Sequence, residues 1–360
     1  MELKEEYFLK QLYKKSTASL NAEYVRFLGI KKFEYFGRDF KDKLEKRANR
    51  IKGCISFWLW DKYDINKILD LKRVFRCKDL FCPNCRTWAV ARSLVKFSPI
   101  FKNLMLLNYK PYLMTLTIPN IAGSELKETI DKMNKAFFKL WTWIHRIDKR
   151  MGFSKRIFRA VRAVKVLELT VNENDHSFHV HFHVVVFLEN EDENDFRKNI
   201  DGGYQYKSKE FIFYSEADTF IQKLWTLAYK DLDISEFVNR SDDWKDNYIC
   251  DIRPLELPGG LYEIFKYCFK DVHIYDIDVF ENLFFGLENK RLKQGYGLLH
   301  GINEVDDKED LMEGLEEYIK ISESPEELIF YQITDICNNF KDYKKISRFK
   351  SDEEFKNIKD

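Results

Sequence analysis

The sequence predicts an α+β fold in which helices flank an antiparallel sheet, with a small cysteine-rich module and helical extensions at both ends. Helical and strand patterns alternate through the middle of the chain, and three histidines occupy every second position of one predicted strand. Three of the seven cysteines lie within nine positions. A chain of 360 residues is long enough for two or three domains, each with a core of its own. We predict four segments: a helical N-terminal extension at 1–50, a cysteine-rich module at 51–105, an α+β domain at 106–301 and a helical, acidic C-terminal extension at 302–360.

The composition excludes several classes of protein. Hydrophobic residues make up 45% of the chain and charged residues 33%, which is typical of a globular protein and not of a disordered or collagen-like one. No apolar run is long enough to span a membrane, and the first residues lack the apolar stretch of a secretory signal. Because the cysteines are clustered and odd in number, a disulfide framework is not expected. We therefore expect a cytoplasmic protein that does not contact a membrane.

Charge is distributed unevenly, although the whole chain carries a net charge of only +1. Residues 26–52 contain ten Lys or Arg against four Asp or Glu, and residues 139–165 contain nine against one. Residues 301–337 contain two basic residues against twelve acidic ones. This asymmetry predicts a body that binds a polyanion and an appended acidic segment of different character. The alternative for each stretch is a charged helix face in contact with solvent.

The predicted elements follow one another in the order strand, helix, strand, strand, helix, strand, helix. Strands are predicted where β-branched and apolar residues lie between turn residues, and helices where apolar residues recur every three or four positions. The elements are the strand 112–120, the helix 124–150, the strands 163–172 and 178–189, the helix 214–230, the strand 247–256 and the helix 259–272. Only a short polar turn separates the strands 163–172 and 178–189, so these two are predicted to pair as a hairpin.

His179, His181 and His183 project from one face of the predicted strand 178–189, because side chains alternate along a strand. The residues between them are valine and phenylalanine, which predicts that the other face of the strand is the core face. Two imidazoles one pleat apart can share a divalent ion, and imidazole is the commonest metal ligand in proteins. The alternative is a group of hydrogen-bonded surface histidines, which is less expected because the chain has only seven histidines.

Glu168 lies on the preceding strand between two leucines, so its side chain projects away from the core. In a hairpin this carboxylate can lie beside the histidines. Two histidines and one carboxylate leave coordination positions open, which is typical of a catalytic ion rather than a structural one. The alternative is an ordinary exposed glutamate.

Glu263 and Tyr267 are four residues apart on the predicted helix 259–272 and therefore share a helix face, flanked by Lys266 and Lys270. A tyrosine hydroxyl is a weak nucleophile until positive charge and a polarised electrophile assist it. Taken alone, Tyr267 is a typical core residue among nineteen tyrosines. Only the combination with the histidine strand makes it a candidate catalytic residue.

Cys77, Cys82 and Cys85 form a Cys-x4-Cys-Pro-x-Cys pattern, and Cys54 is the best candidate for a fourth ligand. Four thiolates in a tetrahedron are the structural preference of zinc. We therefore predict a structural Zn²⁺ site at these four residues, which makes 51–105 a zinc-binding module. The alternatives are packed thiols or a redox Cys-x-x-Cys pair, although the strand that normally precedes such a redox pair is not evident.

The motifs, taken in order, resemble those of the replication initiator (Rep) proteins of small rolling-circle plasmids, which belong to the HUH endonuclease superfamily. The stretches that carry the resemblance are 73–85 (RVFRCKDLFCPNC), 113–120 (LMTLTIPN), 167–186 (LELTVN followed by HFHVVV), 263–271 (EIFKYCFKD) and 291–301 (RLKQGYGLLHG). Each stretch alone is a weak signal, but their order along the chain is specific.

The resemblance implies that 106–301 is an HUH endonuclease domain, an antiparallel sheet of the RRM-like palm type that nicks and rejoins single-stranded origin DNA through a 5′-phosphotyrosine intermediate. By position, His181 and His183 match the metal-binding HUH motif and Glu168 matches the third ligand. Tyr267 matches the nucleophile, and Glu263 matches its acidic partner. The expected catalytic ion is Mn²⁺ or Mg²⁺.

Contacts to DNA phosphates are expected from the basic stretch 139–165 and from residues near the tyrosine. The candidates are Arg156, Arg159, Arg162, Lys266, Lys270 and His179. His179 occupies a position where the plasmid family often has Asn-Pro, so it is either an extra metal ligand or a phosphate contact. The expected partners are single-stranded or hairpin origin DNA and host replication proteins, namely a helicase and a polymerase.

Two alternatives to a plasmid Rep protein stay open at this point. A related HUH transposase or relaxase shares the same chemistry. A zinc-containing DNA-binding regulator without catalytic activity would use its histidines only for structure.

Overall fold

A computed structural model of the chain describes residues 2–54, 57–63, 68–74, 76–146, 158–189, 192–198, 203–205, 211–255, 277–297, 299–300 and 344–349. The chain divides into two compact units. The first unit comprises Met1–Val95 and Val305–Asp360, and the second comprises Lys96–Glu304. The four segments expected from the sequence stay a prediction. Among the described residues, no helix combines the length and the hydropathy that a membrane span requires.

The fold class predicted from the sequence is confirmed: the described residues include a five-stranded antiparallel sheet with flanking helices. The helices are α1 (Glu2–Lys31), α2 (Phe33–Lys52), α3 (Pro83–Leu106), α4 (Leu126–His145), α5 (Glu216–Tyr229) and α6 (Ile277–Gly286). The strands are β1 (Phe57–Tyr63), β2 (Ile68–Val74), β3 (Lys110–Thr117), β4 (Arg159–Val171), β5 (Phe178–Glu189), β6 (Gly203–Gln205), β7 (Phe211–Phe213), β8 (Cys250–Pro254), β9 (Lys293–Gly297) and β10 (Lys344–Phe349).

A five-stranded sheet in the order β8-β3-β5-β4-β9 forms the centre of the second unit, and every neighbouring pair in it is antiparallel. The predicted hairpin is confirmed, because β4 and β5 pair in register from Val171 opposite Phe178 to Arg159 opposite Glu189. A bulge between Ala160 and Arg162 shifts this register only at the far end of the hairpin. These two strands are 13 and 12 residues long, and they pair along almost their whole length in the middle of the sheet.

One face of this sheet, which we call the core face, carries the apolar residues that alternate with the histidines. Val180, Phe182 and Val184 are all buried there, as the alternation predicted. Helices α4 and α5 cover this face, since the Phe182 ring lies 5.9 Å from the Phe137 ring and 6.4 Å from that of Trp225. The burial of these aromatic side chains supplies much of the stability of the unit.

The opposite face, which we call the site face, is apolar at one end and polar at the other. At the apolar end, Phe101 of α3 packs edge-on against Phe187 with ring centroids 4.9 Å apart. At the polar end, β5 presents His179, His181 and His183. Helix α3 therefore packs against the apolar end of the site face, and polar side chains occupy the other end.

Helix α5 begins at a capping box formed by Ser215 and Asp218. The Ser215 hydroxyl accepts the Asp218 N–H, and the Asp218 carboxylate accepts the Ser215 N–H at 2.7 Å. Asp218 is fully buried and also accepts the N–H of Ile252 on β8 at 2.8 Å. The capping residues therefore fix the start of α5 against the edge of the sheet.

The first unit contains a helical hairpin and a small sheet. Helices α1 and α2 approach closely at Gly29, where an added Cβ would meet Leu44 at 3.4 Å. The sheet has the order β10-β1-β2, with β10 parallel to β1. The helical character predicted for 302–360 is wrong at Lys344–Phe349, which forms β10. Pairing with β1 decides the conformation of this short segment, because strand preference depends strongly on the neighbouring strands.

Lys165 is an unexpected charged residue on the core face of β4, where it is 2% exposed. Its Nζ donates to Asn134 Oδ1 at 2.5 Å and lies 4.3 Å from the centre of the Phe182 ring. Burial lowers the pKa of Lys165 to about 7. The folded protein is therefore destabilised most below pH 7, where this ammonium is charged in a largely apolar environment.

We predict that Lys165→Met stabilises the second unit more at pH 6 than at pH 9. The unfolded chain keeps a lysine pKa near 10.4, so stability of the wild type rises with pH between about 7 and 10. The expected difference between the two gains is about 2–3 kcal/mol, measured by urea unfolding at both pH values. Lys135→Met, an exposed change on α4, is the control. Equal gains for Lys165→Met at pH 6 and pH 9 would contradict the assignment.

Candidate metal centres

Glu168, His181 and His183 converge on the site face at the middle of the β4–β5 hairpin. Glu168 lies directly opposite His181 in the strand register. Its Oε2 lies 2.5 Å from His181 Nε2 and 2.6 Å from His183 Nε2. The three residues that the sequence singled out are thus brought together by one pairing.

All three side chains of this group are buried, with Glu168 only 3% exposed and each histidine 8% exposed. Burial opposes ionisation of the carboxyl group, but the hydrogen bonds from the two imidazoles hold the pKa of Glu168 well below its usual range. Burial also lowers the pKa of His183. The group therefore combines a carboxylate with an imidazole that is neutral near pH 7, which is the charge state that a divalent ion requires of such ligands.

The donor set fits a divalent ion. One ligand atom of each residue lies within 4.8 Å of the other two. Carboxylate oxygen and imidazole nitrogen suit Mn²⁺ and related ions, and three protein ligands leave positions for substrate. The role of these residues as ligands stays a prediction, for which the convergence of their donor atoms is the structural support.

His179 lies one pleat along β5, at the margin of this group. Its ring centroid is 4.7 Å from that of His181, but it is not part of the three-residue cluster. Burial and the nearby His181 lower the pKa of His179. This position is compatible with the phosphate contact expected from the sequence, which stays a prediction.

Several predicted site residues lie outside the described residues. Tyr267, Glu263, Lys266 and Lys270 fall within 256–276, and Arg156 falls within 147–157. Their roles therefore stay predictions that rest on the sequence alone.

Arg159 and Arg162 lie on β4 towards the end of the hairpin remote from the histidines. Arg159 pairs with Glu189 at 3.0 Å and donates to the carbonyl of His145. Arg162 lies 5.1 Å from the centre of the Tyr109 ring. They precede Glu168 by nine and six positions, which is about 30 and 20 Å along a strand. A DNA contact by either residue would therefore lie well away from Glu168 and the histidines, at a separate part of the strand.

A second cluster lies in the first unit, where Cys54, Cys77, Cys82 and Cys85 bring their sulfur atoms within 4.8 Å of one another. The Cys85 sulfur is 3.5 Å from that of Cys54 and 3.6 Å from that of Cys77. Four sulfurs bound to zinc at about 2.3 Å in a tetrahedron would lie about 3.8 Å apart. Interactions with the three neighbouring thiols lower the pKa of Cys85. The cluster therefore has the spacing of a structural zinc site.

Local sequence explains how the cysteine cluster forms. Lys78 adopts a positive φ of 55° directly after Cys77, which turns the chain back on itself. Pro83 then begins α3, a position at which proline is favoured, and places Cys82 before the helix and Cys85 in its first turn. Cys54 follows the end of α2 and supplies the fourth sulfur.

Three polar residues that sequence analysis missed hold the cysteine loop against the helical hairpin. Arg47 of α2 donates to both carboxylate oxygens of Asp79, at 2.6 and 3.1 Å. Asp79 in turn accepts the N–H of Phe81 at 3.0 Å, and Asn21 of α1 donates to the Phe81 carbonyl at 2.8 Å. These partners are 32 and 60 positions apart, so no local pattern indicates them. Contacts of this kind fix the geometry of ligand loops.

A family model described as Replication protein matches residues 68–344, which is more than half of the chain. The chain belongs to this replication protein (Rep) family. The resemblance to rolling-circle plasmid Rep proteins is thereby confirmed. Helix α1 and helix α2 precede the matched residues.

Curated relatives carry the name Protein rep. A protein of Lentilactobacillus hilgardii is 27% identical over 173 residues, 47% of this chain and 46% of that protein. A Bacillus protein is 26% identical over 236 residues, 64% of this chain and 68% of that protein. A protein of Streptococcus pneumoniae is 24% identical over 250 residues, 64% of this chain and 62% of that protein. The match to the first of these therefore spans about half of that relative, and no solved structure matches the chain.

For the histidine cluster of this Rep-family chain, we predict Mn²⁺ binding that weakens at least tenfold in His181→Ala and His183→Ala. Affinity should also be lower at pH 5.5 than at pH 7.5, because protons compete with the ion for its ligand atoms. Calorimetric titration at pH 7.5 and pH 5.5 measures both effects. His176→Asn, an exposed histidine in the hairpin turn, is the matched control. Wild-type affinity in both alanine variants would count against the site.

For the cysteine cluster, we predict one zinc ion per chain, lost in Cys82→Ser. Removal of one of four thiolates leaves an incomplete tetrahedron, so the loop no longer folds around the ion. Metal analysis by mass spectrometry of the purified protein measures the stoichiometry. Cys250→Ala, which alters a buried thiol outside the cluster, should retain full zinc content. Equal zinc content in the two variants would refute the assignment.

Proposed function

We propose that this protein initiates plasmid replication by nicking and rejoining single-stranded origin DNA, as a metal-dependent endonuclease. The observation that carries the proposal is the convergence of His181 Nε2 and His183 Nε2 on Glu168 Oε2, within a chain whose residues 68–344 match the Rep family. Glu168 is buried between two imidazoles, and a buried group of ionisable side chains of this kind is typical of a functional site. A divalent ion accounts for its presence.

A Mn²⁺ or Mg²⁺ ion held by Glu168, His181 and His183 would polarise the scissile phosphate and orient it. Tyr267 is the proposed nucleophile. Its phenolic oxygen forms a bond to phosphorus, and the bond from phosphorus to the 3′ oxygen breaks. The products are a 5′-phosphotyrosine and a free 3′-OH, which takes up the proton that the tyrosine gives up. Because one phosphodiester replaces another, the reverse attack rejoins the strand without ATP.

Glu263 is the proposed general base for the second step. It would take a proton from water, which then hydrolyses the phosphotyrosine and releases the enzyme. The free 3′-OH is the substrate that a host polymerase extends, with a host helicase as the expected partner for strand separation. These roles follow from the family resemblance of the segment 263–271.

The DNA contacts are proposed to come from basic residues around the site and along β4. Lys266, Lys270, Arg156, Arg159, Arg162 and His179 are the candidates. Phosphate contacts of this kind make affinity depend strongly on salt. The cysteine cluster is proposed to hold structural Zn²⁺, which braces the first unit.

The proposed reaction is tested with labelled single-stranded oligonucleotides that tile the DNA flanking the gene. Incubated with Mn²⁺, the wild type should form a covalent protein–DNA adduct that survives denaturing electrophoresis. Tyr267→Phe should form none, since it lacks the attacking oxygen, and His181→Ala/His183→Ala should lose at least 100-fold in rate. Tyr262→Phe, a neighbouring tyrosine in the same segment, should react like the wild type.

The outcome separates the proposal from its alternatives. Tight DNA binding by the wild type without any adduct would contradict the nickase proposal and favour a zinc-containing DNA-binding regulator. Adduct formation only on transposon-end or transfer-origin sequences would favour an HUH transposase or relaxase. Adduct formation by Tyr267→Phe would show that another residue is the nucleophile.

A further inference from the structure

The motif at 113–120 has no role in the chemistry proposed so far, yet β3 brings two of its threonines beside the histidines. Thr115 lies opposite His183 in the β3–β5 register, and Thr117 lies opposite His181. Residues opposite one another on antiparallel strands share a face, so both threonines belong to the site face. Each threonine is half-buried there.

The two hydroxyl groups have different partners. Thr115 Oγ1 lies 3.4 Å from His183 Nδ1. Thr117 Oγ1 instead donates to the carbonyl of Ile249 at 2.6 Å, and therefore ties β3 to the segment before β8. Of these two hydroxyl groups, only that of Thr115 lies within hydrogen-bond distance of an imidazole nitrogen.

His183 is thus contacted at both ring nitrogens. Its Nε2 faces Glu168 Oε2 at 2.6 Å, and its Nδ1 faces Thr115. Without an ion, a neutral His183 donates its proton from Nε2 to Glu168. When Nε2 binds a cation instead, the proton must lie on Nδ1, and that N–H requires an acceptor. Among the described residues, Nδ1 of His181 has no hydrogen-bond partner, so the two histidines are supported unequally.

We propose that Thr115 is a positioning residue for the metal centre. Its hydroxyl oxygen accepts the Nδ1–H of His183, fixes that tautomer, and holds the ring with Nε2 directed at the ion. The β-branched side chain of Thr115 suits this role, because its χ1 angle is restricted and the strand register fixes the position of its backbone opposite His183. This inference rests on the proposed function only in requiring a divalent ion at the histidine cluster.

The test compares Mn²⁺ affinity in three variants by calorimetric titration. Thr115→Val keeps the shape and removes the acceptor, and it should weaken binding about 10–100-fold, as expected for the loss of a partner that orients a ligand. Thr115→Ser restores the oxygen and should bind within about threefold of the wild type. Thr117→Val is the matched control and should also remain close to wild type, since its hydroxyl contacts a backbone carbonyl.

The results distinguish an acceptor from a packing role. Wild-type affinity in Thr115→Val, or equal losses in Thr115→Ser and Thr115→Val, would overturn the assignment. A wild type that binds no Mn²⁺ would instead defeat the proposed function itself. Unfolding midpoints in urea identify any variant that fails to fold, and Thr115→Ala then takes the place of the valine variant.

A measurement on the unaltered protein provides a second test. Long-range ¹H–¹⁵N correlation spectra of protein loaded with diamagnetic Zn²⁺ report which nitrogen of His183 carries the proton. Ligation through Nε2 already requires a proton on Nδ1, so the deciding signal is how fast that proton exchanges with solvent. Slower exchange at His183 Nδ1 than at His181 Nδ1, which has no hydrogen-bond partner among the described residues, supports the assignment to Thr115, and equal exchange contradicts it. A proton on Nε2 overturns it.

Discussion

The pairing of β4 with β5 determines whether the histidine cluster exists at all. Glu168 meets the histidines only because it lies opposite His181 in this register. A shift of one residue would turn the carboxylate to the core face and bring a leucine to the site face, because side chains alternate with a period of two. Packing of Val180, Phe182 and Val184 under α4 and α5 penalises that shift, because it would place the Glu168 carboxylate among these apolar residues. The hydrophobic core therefore specifies the polar site on the reverse side of the same strands.

The two candidate metal centres are built in different ways. The histidine cluster lies on regular strands, which hold side chains in defined positions, as the proposed orientation of a reacting phosphate requires. The cysteine cluster lies on a turn and two helix ends, and its ligands come from three separate points of the first unit. Arg47, Asp79 and Asn21 link that loop to α1 and α2, so the fold of the helical hairpin and the geometry of the cysteines depend on each other. An ion there would contribute to folding, whereas an ion at the histidines would contribute to chemistry.

The sheet also explains why the family motifs are dispersed along the chain. The motif at 113–120 lies on β3, and the glutamate and the histidines lie on β4 and β5; adjacency in the sheet order β3-β5-β4 brings these three segments to one face. The order of the strands in the sheet differs from their order in the sequence, so β3 neighbours β5 rather than β4. This crossover places a threonine hydroxyl next to an imidazole nitrogen across 68 residues of chain.

The sequence by itself determined the α+β class and the β4–β5 hairpin, and it predicted which residues come together in the histidine and cysteine clusters. Each depends on a local pattern: alternation along a strand, a short polar turn, or the spacing of cysteines around Pro83. The tertiary structure alone decided the partners of Thr115, the Arg47–Asp79 pair, the burial of Lys165 and the strand at Lys344–Phe349. These features join residues that are far apart in the chain. Packing and hydrogen bonding between different elements stabilise them. Such contacts leave no periodic pattern in the sequence of either element, so the sequence alone does not indicate them.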